Sequence, residues 1–199
     1  MASDVEVVNL ALTLLGEARI MSLDDDVKPA REAKAIFTIV RDALLSGYNW
    51  SFAKTRALLP ALADVPPFEF SVKYQLPSDC LRIVMAGEFY VGIDLTDYRG
   101  SPVEEYTIEG RELLCNWSAP LQLKYIRRIT DGGQFSANFT KAFGCQLAAD
   151  LTEPLSQSNQ KREAALKAFD KEISLAIRAN AIELPPQKMS DDEWIISRR

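Results

Sequence analysis

The 199-residue chain contains no histidine. That removes the commonest general base and the commonest metal ligand together. A Ser-His-Asp triad, a Cys-His dyad and any zincin motif are excluded with it. Cysteine is scarce: Cys80, Cys115 and Cys145 are odd in number, far apart and free of any CxxC. Such spacing argues against a zinc or redox site. The three read as reduced, small core residues of a protein made in a cytosol. There is no GxGxxG, no Walker loop and no GxSxG. No apolar run approaches the length of a membrane span. The first residues carry Asp4 and Glu6 where a signal peptide would need positive charge. The expectation is a soluble protein without cofactor or metal.

What is present is ordinary for a globular chain: 47% hydrophobic and 26% charged residues. That composition excludes disorder throughout and allows one compact domain or two small ones. The net charge is −5. A sequence-independent nucleic-acid binder needs clustered cations to displace counterions, so this balance argues against one. It remains compatible with a surface that lets DNA pass without gripping it.

Ser3-Asp4-Val5-Glu6 matches a capping box. The helix it opens is apolar on most sides, with Val5, Val8, Leu12 and Leu15 on one face, and Gly16 ends it. Ser22-Leu23-Asp24-Asp25-Asp26 reads as the N-cap region of a second helix, with Pro29 in its first turn. As a calcium loop it lacks alternating ligands, the central Gly and the terminal Glu. Ala33, Ile36, Phe37, Val40 and Leu44 form that helix's apolar stripe, which ends near Ser46-Gly47. Tyr48, Trp50 and Phe52 read as core anchors at the helix exit. Ala53–Leu62 is a strand or an irregular stretch, and Asp64-Val65-Pro66-Pro67 breaks the chain.

Residues 68–128 read as β. Phe70, Val72 and Tyr74 alternate with polar residues, and Leu81–Met85 is a second strand. Between them Leu76-Pro77-Ser78-Asp79 predicts a turn, closed by Ser78 and Asp79 on their own backbone. Phe89–Val91 is a short third strand, and Gly92–Pro102 an exposed loop. Val103–Ile108 and Arg111–Trp117 flank a turn at Glu109-Gly110. Leu121, Leu123 and Tyr125 alternate with Gln122 and Lys124, which leaves one face wet. Arg127-Arg128 reads as a charged strand end.

After Asp131-Gly132-Gly133, Phe139, Phe143, Leu147 and Leu151 predict a helix that stops at Glu153-Pro154. Ser156–Asn159 supplies a turn and cap. The last helix is predicted to bury Leu166, Phe169, Ile173, Ala176 or Ile177, and Asn180. Its solvated face takes Lys161, Arg162, Glu163, Lys167, Lys171 and Glu172. A link this short makes the two helices antiparallel neighbours. Leu184-Pro185-Pro186 stops the helix. In the remaining tail Trp194, Ile195 and Ile196, next to Asp191-Asp192-Glu193, read as a docking peptide for a partner.

The fold class expected is therefore α+β: a bundle of about four helices with an inserted antiparallel β region and an extended C-terminal tail. The partition is 1–62 for the N-terminal helices and linker, 63–130 for the β insertion, 131–183 for the closing helix pair and 184–199 for the tail.

Two strings are more specific. Tyr48-Asn-Trp-Ser-Phe-Ala-Lys-Thr-Arg56 and Tyr74-Gln-Leu-Pro-Ser-Asp-Cys-Leu-Arg-Ile83 resemble the tail tubular protein A family, the head-to-tail adaptors of short-tailed bacteriophages. Asn9–Gly16, Ser22–Asp25, Ala33–Leu45, Ala148–Leu151 and Glu163–Phe169 are similar to the same family's helices. The resemblance spans residues 5 to about 180 and leaves the tail after Leu184 unmatched. It implies a structural protein of the virion, made and assembled in the host cytoplasm and encoded by a phage or prophage. Such proteins form a ring, of about twelve copies in the family, in which each subunit offers two different complementary faces. The ring's implied partners are the portal above, a tail nozzle of the tail tubular protein B kind below, and often tail fibres at the side. DNA passes through without specific binding, which suits an acidic ring. No membrane, cofactor or catalysis is implied.

Two other readings stand beside the one the resemblance implies. A virion-associated cell-wall hydrolase would need a carboxylate pair, for which Glu104-Glu105 and Glu109/Glu112 are the candidates. Adjacent strand residues point to opposite faces, which disqualifies Glu104-Glu105 as a pair. A head-completion protein of a long-tailed phage is the other; the short-tail signature around Leu76–Cys80 weighs against it.

Overall fold

The computed structural model describes residues 3–87, the backbone of 89–90, and residues 106–183. Within these the fold is α+β, with four helices and two antiparallel sheets. The helices are α1 (Asp4–Leu15), α2 (Lys28–Gly47), α3 (Ala137–Leu155) and α4 (Asn159–Ile182). The strands are β1 (Lys54–Leu59), β2 (Val72–Gln75), β3 (Cys80–Ala86), β4 (Phe89–Tyr90), β5 (Tyr106–Glu109), β6 (Glu112–Cys115) and β7 (Leu121–Arg127). One sheet runs β1-β7-β3-β4 and the other β2-β6-β5. The larger sheet thus takes β1 from a stretch that precedes residue 63.

The layers follow from alternation along β7. Leu121, Leu123 and Tyr125 belong to a core shared with Tyr74, Leu113 and Cys115 of the smaller sheet. Ile126, with Val84 of β3, belongs to the helical core. Side chains two apart share a face, so Gln122, Lys124 and Ile126 lie on the helix side. The order is helices, four-stranded sheet, three-stranded sheet, each buried against the next.

In the helical layer α3 packs against α1, α2 and α4. Phe139, Phe143, Leu147 and Leu151 are fully buried along it, as their spacing predicts. Trp50 anchors the junction with the sheet. It is 1% exposed, donates its indole N–H to the Leu44 carbonyl at 2.9 Å, and meets Phe139 edge-on at 5.0 Å. Phe52, Phe135 and Phe143 extend this aromatic cluster.

The capping box is formed: Ser3 N–H donates to Glu6 Oε2 at 2.7 Å, and Glu6 N–H to Ser3 Oγ at 3.2 Å. Gly16 adopts φ 71°, the left-handed conformation that closes a helix without a Cβ clash. All three cysteines are free, with Cys115 and Cys145 buried and Cys80 half-buried.

Several expectations need correction. The N-cap of α2 is Val27, with no side-chain cap, although Pro29 does sit in the first turn. The acidic run before it forms a turn instead: Asp25 Oδ2 accepts from the Met21 and Ser22 N–H groups, and Asp24 and Asp26 pair with Lys34 and Arg31. Pro154 does not stop α3, which continues to Leu155. The two residues of the β5–β6 loop are Gly110-Arg111, one later than predicted, because Glu109 pairs with Glu112. Gly110 takes φ 60° there.

On α4, Ala176 and Asn180 are buried and Ile173 and Ile177 pack against the helical core as expected, but two positions differ. Leu166 is 41% exposed, and Glu172 is buried at 8%. Ala165, Glu172, Ala176 and Asn180 form the inward face. Glu172 is tolerated inside because Lys141 Nζ of α3 reaches it at 2.9 Å. That pair joins the start of α3 to the middle of α4 across a three-residue link (156–158), so the helices are antiparallel.

Candidate interaction face

The turn Leu76–Asp79 links β2 of the smaller sheet to β3 of the larger. Cys80 N–H donates to the Pro77 carbonyl at 3.0 Å and closes it. The Asp79 carboxylate does not bond its own backbone as expected. It accepts from the Tyr125 hydroxyl at 3.0 Å, while the Asp79 carbonyl accepts from Arg128 N–H at 2.7 Å. Arg111 donates to the Pro77 carbonyl from the smaller sheet. Burial and the Asp79 carboxylate push the Tyr125 hydroxyl up to about 12. The turn is therefore held by both sheets.

Arg127 and Arg128 do more than decorate a strand end. Arg128 Nε meets Asp42 Oδ2 at 2.7 Å, and Arg41 Nη2 meets Asp42 Oδ1 at 2.9 Å. Asp42 thus ties α2 to the chain just after β7. Burial pushes the nearby Asp4 carboxyl up, opposed by Arg41. Arg127 donates to Gln134 at 2.7 Å.

The helix-side face of β1 and β7 outlasts the helices. Arg56 pairs in register with Lys124, and Leu58 with Gln122, while Met85 of β3 also sits opposite Lys124. These residues line an open groove of about 360 Å³. Leu58 is 65% exposed in it. At its helix end stand Lys54 and Arg82. Arg82 Nη2 donates to Asn49 Oδ1 at 2.7 Å, but its Nε is buried with no hydrogen-bond partner. Burial, followed by the neighbouring charges of Lys124 and Arg82, holds Lys54 below the usual lysine range. The face is a cationic strip that runs into an apolar one, in a chain whose net charge is −5.

Other exposed apolar groups lie elsewhere. Val65 and Phe68 protrude from the β1–β2 connection, and Leu175 and Ile182 share a stripe on α4. They sit on different layers of the fold.

Trp194, Ile195 and Ile196, expected to dock a partner, lie outside the described residues, as do Glu104 and Glu105 and the loop Gly92–Pro102. Glu109 and Glu112 face each other across the β5–β6 hairpin, with Glu112 3.8 Å from Lys73 Nζ. Among the described residues no group of Cys, Asp or Glu is placed to hold a metal ion, and no helix is long and apolar enough to cross a membrane.

Sequence reasoning missed the groove because its members are spread over residues 54–124. The signal was Lys54 and Arg56, two cations one residue apart ahead of a mostly apolar stretch. It also missed Asn180, which read as part of an apolar stripe. Its Oδ1 accepts from Ser51 N–H at 2.6 Å and its Nδ2 donates to the Asn49 carbonyl at 3.2 Å. No protein-family model matches the chain, and no curated protein matches it.

Proposed function

We propose that this chain is a structural head-to-tail adaptor of a short-tailed phage or prophage. In this reading it forms a ring that joins the portal to the tail nozzle and lines the DNA channel. It performs no reaction. The observation that carries the reading is the position of the two strings that resemble the tail tubular protein A family. Tyr48–Arg56 and Tyr74–Ile83 meet through the Arg82–Asn49 hydrogen bond; the first supplies Trp50 to the helical core, and the second supplies the Leu76–Asp79 turn between the two sheets. A helical layer with sheets stacked on one side gives a subunit two unlike flanks, as a closed head-to-tail ring requires. The exposed apolar groups support this: Val65 and Phe68 mark the sheet flank, Leu175 and Ile182 the helix flank. An excess of carboxylates suits a channel that must not hold phosphate.

The test is electron microscopy of the protein mixed with its portal, preceded by static light scattering of the protein alone. Rings seated on the portal are the expected result. Failure to bind the portal, or turnover of cell-wall substrate in a turbidity assay, would overturn the reading.

A further inference from the structure

Helix α4 ends beside the start of β1. Asn180 holds Ser51 N–H and the Asn49 carbonyl, and Glu183 Oε2 accepts from the Ser51 hydroxyl at 2.7 Å. Lys54 opens β1 three residues further on. The described chain therefore ends at Glu183 beside Ser51, three residues from Lys54 and the cationic end of the groove. Pro185 and Pro186 cannot extend α4 and favour an extended course. Asp191 lies eight steps along the chain from Glu183, a reach of about 25 Å at polyproline rise. From Ser51 to Arg56 the chain passes through one 3-10 turn (Ser51–Ala53) and the start of β1 and covers at most about 16 Å, so the segment reaches the groove with slack.

The two surfaces match in sign and order. Along β1 the helix-side positions read Lys54, Arg56, Leu58, cationic then apolar. Along the tail, Asp191-Asp192-Glu193 precede Trp194-Ile195-Ile196, acidic then apolar. Lys54, Arg56 and Arg82 make no ion pair among the described residues. Strand β1 is also an edge of its sheet, where an extended segment can add. A short tether gives the tail an effective concentration of about a millimolar at its own groove, ahead of any copy in dilute solution.

We propose that residues 191–196 dock in cis on this groove in the free subunit. Asp191, Asp192 and Glu193 lie over Lys54 and Arg56, and Trp194, Ile195 and Ile196 lie against Leu58 and Met85. The inference does not depend on the adaptor reading.

The test uses the full chain with Ser197→Cys carrying a nitroxide. Cys115 and Cys145 are buried, and burial raises the Cys80 thiol to about 11, so the new thiol takes the label first. Amide signals of residues 54–58 and 122–124 should broaden. They should recover in Arg56→Glu, and broaden again when Arg56→Glu is combined with Asp192→Arg. Each result is compared with a mixture of isotope-labelled, unspun chains and unlabelled, spin-labelled chains. Broadening of comparable size in the mixture would mean docking between copies and overturn the proposal. So would the absence of broadening at these strands, or broadening that Arg56→Glu leaves unchanged.

Discussion

Gly144 lies on α3 where α1 crosses it, and replacing it by alanine tests how tightly that crossing is set. A Cβ at Gly144 would stand 2.6 Å from Leu10 Cδ2, 2.9 Å from Cγ and 3.3 Å from Cβ. Rotating Leu10 can clear its Cδ2. It cannot clear Cβ, which the α1 backbone fixes, so the helices must separate. Overpacking of this kind costs about 1–3 kcal/mol. Alanine in a helix interior returns about 1 kcal/mol relative to glycine. The net expectation for Gly144→Ala is a loss of about 1 kcal/mol, or about 2–4 °C in Tm for a chain of this size. Urea unfolding followed by circular dichroism measures it, with an unchanged slope as the check that the transition keeps its cooperativity. Adding Leu10→Ala makes the cycle decisive. Space opened at Leu10 should absorb the new methyl, so the double variant should be more stable than the sum of the two losses predicts. A stabilised single variant, or strictly additive losses, would refute the claim that α1 contacts α3 through Gly144.

Asp42→Ala removes the carboxylate shared by Arg41, 6% exposed, and Arg128. It should cost about 3 kcal/mol, the low end for a broken buried pair because Asp4 stays near Arg41; denaturant midpoints check it. Lys141→Ala strands the buried Glu172 and should lower Tm, whereas Glu172→Leu should leave Tm unchanged or raise it. The Tyr125 hydroxyl is raised to about 12 from 10, so the folded state keeps its proton longer than the unfolded one. Its stabilisation is complete below pH 10 and lost between pH 10 and 12. Tyr125→Phe should make stability flatter across that window in pH-resolved urea melts. Cys80, raised to about 11, Cys115 and Cys145 should resist alkylation at neutral pH and react together on unfolding.

The helical text was legible where one local signal decided the outcome. Ser3 and Glu6 specify a cap by themselves, and the fourfold spacing of Phe139, Phe143, Leu147 and Leu151 specifies a buried face with few rivals. It failed where a distant partner decided. Glu172 reads as a solvent residue until Lys141 comes across from α3. Asp79 reads as a local turn closer until the Tyr125 hydroxyl arrives from β7. Asp24, Asp25 and Asp26 read as a helix cap, yet two of them find cations and the third a pair of backbone N–H groups. The acidic run stayed local but closed a turn instead of capping a helix. Glu172 and Asp79 took long-range partners over short-range ones, and single-sequence periodicity carries no information about that choice. The groove was hidden for the same reason, since Arg56, Met85 and Lys124 become neighbours only through strand pairing.

The segment Tyr48–Arg56 concentrates three jobs that would each leave a mark on the sequence. Trp50 fills the helical core and caps the Leu44 carbonyl. Asn49 and Ser51 form the latch that holds the end of α4, and Asn49 also accepts from Arg82 of the sheet. Lys54 and Arg56 then open the cationic strip. Two of the jobs are architectural, and they account for most of the string: Trp50, Asn49 and Ser51 are satisfied within the subunit. Arg56 is different. It is exposed, makes no ion pair among the described residues, and projects from a strand whose folding does not need its charge. The subunit's own packing does not account for it, and its exposure on the helix-side face of an edge strand is what leaves it open to the acidic residues of the chain's own tail.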